Sequence, residues 1–187
     1  MPKNIPKDLE NAILTLSQKE KDRHLLRLIS KNNLLREQLQ FTLLEDESDL
    51  SWRKEEIKDL IEQHFSRDYS YVGVLLKDIR KVSAKTTWHR RVTKDKYGEV
   101  ELALNLMEIV LKKHQKQIDK AMRKADSLRV YLVRKAIAII KYIKALHEDF
   151  RIDFVGRMDE VLRLLHTFET KYSASLLGLP KAMHQND

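Results

Sequence analysis

The chain has 187 residues, enough for one medium domain, and carries 36 Lys and Arg against 28 Asp and Glu for a net charge of +8. It contains no Cys, which excludes disulfides, thiolate nucleophiles and Cys-ligated zinc or iron–sulfur centres and suits a reducing cytoplasm. Four Gly and three Pro are too few for many tight turns, and 57 residues from Glu99 to Val155 contain neither, so the composition predicts an all-α protein with long helices.

The first residues, Met1 to Asp8, hold no apolar run of the kind a secretory signal requires. Pro6 suits a first helical turn, with Leu9, Ile13, Leu14 and Leu16 as a short apolar stripe. Ser17-Gln18-Lys19-Glu20 matches a capping box and opens a second helix bearing Leu25, Leu26, Leu28 and Ile29. Asn32-Asn33 breaks it, and Leu34, Leu35, Leu39, Leu43 and Leu44 follow at helical spacing. The acidic run Glu45 to Asp49 reads as a loop feeding a fourth helix, which carries Trp52, Ile57, Leu60, Ile61 and Phe65. A fifth begins near Asp68 with Tyr71, Val72, Leu75, Leu76, Ile79 and Val82. Residues 1–83 are thus expected as short paired helices with no fixed-period repeat.

The periodicity fails over residues 84–98, where Thr86 to Gly98 is β-branched, basic and aromatic; the expectation is a basic loop. Residues 99–172 read as a long-helix antiparallel bundle. A single helix over residues 99–149 would span about 75 Å, too long for such a domain, so a break is expected near Ala125-Asp126-Ser127. Against it, Ile118, Ala121, Met122, Ala125, Leu128 and Leu132 keep helical spacing across that point. Leu128 to Leu146 is apolar almost all round and predicts a central bundle helix whose Lys and Arg reach outward. It is too often interrupted by charge to span a bilayer. Phe154, Val155, Met158, Val161, Leu162, Leu164, Leu165 and Phe168 mark the last helix, and residues 173–187 are expected as a partly disordered tail. The whole is expected to be one all-α unit, short N-terminal helical hairpins packed with a longer C-terminal antiparallel bundle.

Charge is unevenly placed. Met1 to Phe65 holds 11 basic and 13 acidic residues, Ser66 to Lys144 holds 20 and 8, and Ala145 to Asp187 holds 5 and 7. Two segments stand out as polyanion-binding candidates. Trp88, His89, Arg90, Arg91, Lys94 and Lys96 combine guanidinium forks with a stacking ring, as single-stranded nucleic acid requires. Lys112, Lys113, Lys116, Lys120, Arg123 and Lys124 meet only Asp119 in their window, and 112, 116, 120 and 123 recur along one helical face, a stripe that can track a phosphate backbone. Each also has a plainer reading: Trp88 as a core anchor, and the lysine run as a solvated helix face.

No catalytic, cofactor or metal motif is present. None of the seven His follows a carboxylate by three residues, and His147-Glu148-Asp149 are consecutive helical positions that point apart. The glycines are too few and too isolated for a phosphate-binding loop, and no nucleophile elbow occurs. Three functions remain in view. The first is a non-enzymatic cytoplasmic interaction or scaffold protein, working through a protein partner or self-association. The second is a nucleic-acid-binding protein using the 88–96 and 112–124 segments. The third is an enzyme whose site, lacking any motif, occupies a cleft between the two halves of the chain.

Overall fold

A computed structural model describes residues 5–120 and 123–183, and among them every regular element is helical. Two compact units result, Met1–Glu45 and Asp46–Asp187, so the chain divides inside the stretch read as paired helices and is not one unit.

The first unit holds α1 (Lys7–Thr15), α2 (Gln18–Lys31) and α3 (Asn33–Leu44). The capping box at α2 forms as its spacing predicts. Ser17 Oγ accepts from the Glu20 amide and the Glu20 carboxylate accepts from the Ser17 amide at 3.0 Å. Asn32 ends α2 and starts α3, its Oδ1 accepting from the Leu35 amide at 3.1 Å. Well-formed caps here accompany an absent core: none of the described residues of this unit is buried.

The second unit is a bundle of five long helices, α4 (Glu47–Phe65), α5 (Val72–Thr93), α6 (Lys96–Lys113), α8 (Arg123–Lys144) and α9 (Glu148–Thr167), with short α7 (Gln115–Ile118) and α10 (Lys171–Leu176). Helix α6 is central and packs against α4, α5, α8 and α9. Ion pairs fix the directions. Lys54 and Lys58 of α4 meet Glu101 while Glu62 meets Lys113, so α4 runs parallel to α6. Tyr97 meets Phe154 and Arg157 meets Glu108, so α9 does as well. The two-residue link after α5, and the reversal after α7, leave α5 and α8 antiparallel to them. Val100, Leu104, Met107 and Leu111 of α6, Leu128, Leu132 and Ile139 of α8, and Phe154, Met158 and Leu162 of α9 fill the core.

Three expectations need correction. Residues 84–93 are not loop: α5 continues to Thr93, and only Lys94 and Asp95 link it to α6. The apolar period fails there because the buried face turns polar, through Ser83, Thr86, His89 and Thr93. Thr86 and Thr87 donate to the Ser83 carbonyl at 2.8 and 3.1 Å, and Thr93 to that of His89 at 2.9 Å, which satisfies their hydroxyls inside a helix.

Secondly, the helix does not break at Ala125-Asp126-Ser127, which lie within α8. It breaks at His114 and again after Ile118; the Ala121 and Met122 named in the pattern lie outside the described residues. No Gly or Pro is needed. The buried His114 ring sits edge-on to Tyr69, 5.1 Å between centroids, and its Nε2 donates to the Phe65 carbonyl at 3.2 Å. Buried Arg129 then closes the end of α7, donating to the Ile118 and Lys120 carbonyls at 2.8 Å each.

Thirdly, the segment after Tyr172 packs as far as Met183. Ala174 and Leu179 are buried, Gly178 takes φ +64 after α10, and the Met183 amide donates to Asp159 at 2.8 Å.

Candidate functional site

The twelve candidate polyanion-binding residues do not form one site. Lys94 and Lys96 stand at the N-terminal end of α6 and Lys112 and Lys113 at its C-terminal end, separated by roughly 25 Å along 18 residues. The first group splits further. His89 is buried, and Arg90 turns to Glu99 at 3.3 Å. Trp88 is half-buried with the Arg91 guanidinium 5.5 Å from its ring centroid, and Lys94 and Lys96 are exposed.

The second group loses its single face because the helix beneath it is interrupted. Lys112 and Lys113 end α6, Lys116 is in α7, Lys120 falls between helices and Arg123 starts α8. Lys113 is already paired with Glu62. The Lys124 side chain lies outside the described residues.

Buried polar groups cluster instead where α5, α6 and α8 meet. Asp95 caps α6, its Oδ1 accepting from the Gly98 amide at 2.8 Å, and its Oδ2 lies 3.6 Å from His89 Nε2. Burial works to raise the Asp95 pKa, but His89, the Gly98 amide and Lys54 outweigh it and hold the carboxyl below its ordinary value. The carboxylate crowds Gly98 so closely that an added Cβ would fall 2.1 Å from Oδ2. Glu99 is pushed up by burial against the pull of Arg90 and Lys135, and Lys135 is pushed down by its own burial. These groups pack together inside the bundle, with Arg90 paired to Glu99. Among the described residues no three His, Asp or Glu side chains converge as metal ligands, and no helix is long and apolar enough to cross a membrane.

Comparison with protein-family models, curated proteins and solved structures returns no match. Function must be read from the surfaces themselves.

One surface stands apart from everything in the sequence motifs. The unit Met1–Glu45 exposes Leu9, Ile13 and Leu14 on α1, Leu25, Leu26 and Leu28 on α2, and Leu43 and Leu44 at the end of α3. Between α1 and α2 an apolar trough of about 530 Å³ is lined by Leu9, Ala12, Ile13, Leu16, Leu25 and Leu28. Lys21 and His24 supply its polar edge, with Lys21 Nζ donating to the Leu14 carbonyl at 2.9 Å. The individual leucines are legible in the sequence. That nothing in the unit covers them is not.

Proposed function

We propose that the chain is a non-enzymatic helical interaction protein of the cytoplasm, in which Asp46–Asp187 is the stable body and Met1–Glu45 binds a second copy of the chain. The carrying observation is a unit of about 40 residues whose apolar side chains are all at least partly exposed. Segments of that size need disulfides, a metal or association to hold a fold, and with no Cys in the chain association is the natural remedy.

The area supports a second copy. A buried Leu gains about 1.5–3 kcal/mol at about 25 cal/mol per Å², which corresponds to roughly 60–120 Å² for each side chain. Eight such residues, 43–80% exposed, therefore offer roughly 300–600 Å², a large part of the roughly 800 Å² per partner of a standard interface. Charge supports it too. Asp8 and Glu10 on α1 and Lys21 and His24 on α2 give the unit charges of both signs, which a two-fold contact between like copies can set against each other. Multi-angle light scattering on the full chain should give twice the 22.2 kDa protomer mass, and Leu25→Asp with Leu28→Asp should return it to one. A wild-type protomer mass at tens of micromolar overturns the self-association and directs the same face to a different protein.

A further inference from the structure

Two packed helices of this chain carry long stretches of basic residues with no acid among them. From Ile79 to Lys94, α5 and its C-cap contain six Lys and Arg and no Asp or Glu; from Ser127 to Lys144, α8 contains five and none. With the chain at +8, all remaining residues together sum to −3. These two helices pack against each other, and the Arg80 guanidinium of α5 lies 5.4 Å from the Tyr131 ring centroid of α8.

Five of the nine exposed positions on α5 are cationic. Lys77, Lys81 and Lys85 recur at i, i+4 and i+8, about 6 Å per step, flanked by exposed Arg80 and Arg91. On α8, Arg134 and Lys141 lie two turns apart on the same face and are exposed. Lys77, Arg80, Lys81, Lys85, Arg134 and Lys141 have no carboxylate partner among the described residues. The opposite flank of the bundle behaves differently: Lys54, Lys58, Lys113, Arg157 and Arg163 are each paired with Glu. Unpaired cations held side by side on two rigid helices repel one another, and a polyanion relieves that repulsion.

Two aromatic rings lie within this field. Trp88 and Tyr131 are both half-buried, each with a guanidinium beside its ring. Rings and guanidinium planes of this kind stack unpaired bases, which a duplex does not offer. A membrane surface fits less well, since Lys77 to Arg91 presents no exposed large aliphatic side chain to enter the lipid.

We propose that the α5–α8 face binds single-stranded nucleic acid, with Lys77, Lys81, Lys85 and Arg134 on phosphates and Trp88 and Tyr131 beside the bases. This face shares only the Trp88–Lys94 end with the segments singled out by sequence, and it excludes the Lys112 to Lys124 run. The test uses fluorescence anisotropy of the full chain on labelled single-stranded RNA, single-stranded DNA and duplex DNA across a salt series. A log–log salt slope of about −3 or steeper is expected on single strands. Lys81→Gln with Lys85→Gln should weaken binding at least tenfold and flatten the slope by about 1 to 1.5. Lys112→Gln with Lys116→Gln removes the same charge elsewhere and should change affinity less than twofold, with circular dichroism confirming that both variants fold. Equal losses in the two pairs, tighter binding to the duplex, or binding only to phosphatidylserine vesicles overturns the proposal. So does no binding at all.

Discussion

At Gly98 a backbone position is fixed by a neighbouring carboxylate. Asp95 reaches back to cap α6 and leaves no room for a methyl group, so the glycine is needed for close approach; its φ is ordinary. Gly98→Ala must push the carboxylate off the amide and away from His89, losing a cap that is worth about 1 kcal/mol together with a buried polar contact. The urea midpoint should therefore fall by an amount equivalent to about 1–3 kcal/mol, whereas Gly156→Ala, which meets nothing within 4 Å and lies inside α9, should be neutral or stabilising. His114 supplies a pH dependence. Burial depresses its pKa, with the Phe65 carbonyl working weakly the other way. The unfolded chain therefore takes up a proton at a pH where the folded chain does not. The stability this neutral ring contributes is complete above the unfolded value, near 6.5, and declines as pH falls below it. Chemical denaturation at pH 8 and pH 5.5 should show a loss that is smaller in His114→Gln; equal losses in both proteins would place the effect elsewhere.

Among the elements, capped helix starts were the most legible. Ser17 and Glu20 declare α2, and Glu45 to Asp49 declare the start of α4, because capping needs particular side chains at fixed spacing. The end of α6 was hidden for the opposite reason. It depends on His114 finding a carbonyl 49 residues earlier in the chain and on Arg129 returning to α7, pairings no local pattern contains. The continuation of α5 was hidden because its inward face holds Ser, Thr and His, the threonine hydroxyls bonded to helix carbonyls and His89 3.6 Å from Asp95, so that hydrophobic periodicity stopped where the helix did not. Arg129 illustrates the limit of reading cations as outward-reaching: it lies inside, serving two backbone carbonyls. Arg129→Met keeps the length and removes the donors, so it should cost about 3 kcal/mol, mostly from stranding the Ile118 and Lys120 carbonyls. Arg134→Met, on the exposed face of the same helix, should change the denaturation midpoint little.

The whole molecule combines two units with opposite problems. Asp46–Asp187 buries its apolar residues around α6 and carries exposed cations without carboxylate partners along α5 and α8. Met1–Glu45 has caps, amphipathic helices and no interior. Sequence patterning placed the helices of the first unit but did not separate the two units, since a leucine stripe looks the same whether or not something lies against it. Likewise the basic excess was visible as a segment, while its concentration on two adjacent helices depended on the fold. The most direct check on the self-association is amide hydrogen exchange of the full chain at rising protein concentration. Protection in Gln18–Lys31 should increase with concentration while that of Lys96–Lys113 stays constant, because only the first unit gains its cover from a second copy. Protection in Gln18–Lys31 that is already high and independent of concentration would contradict it.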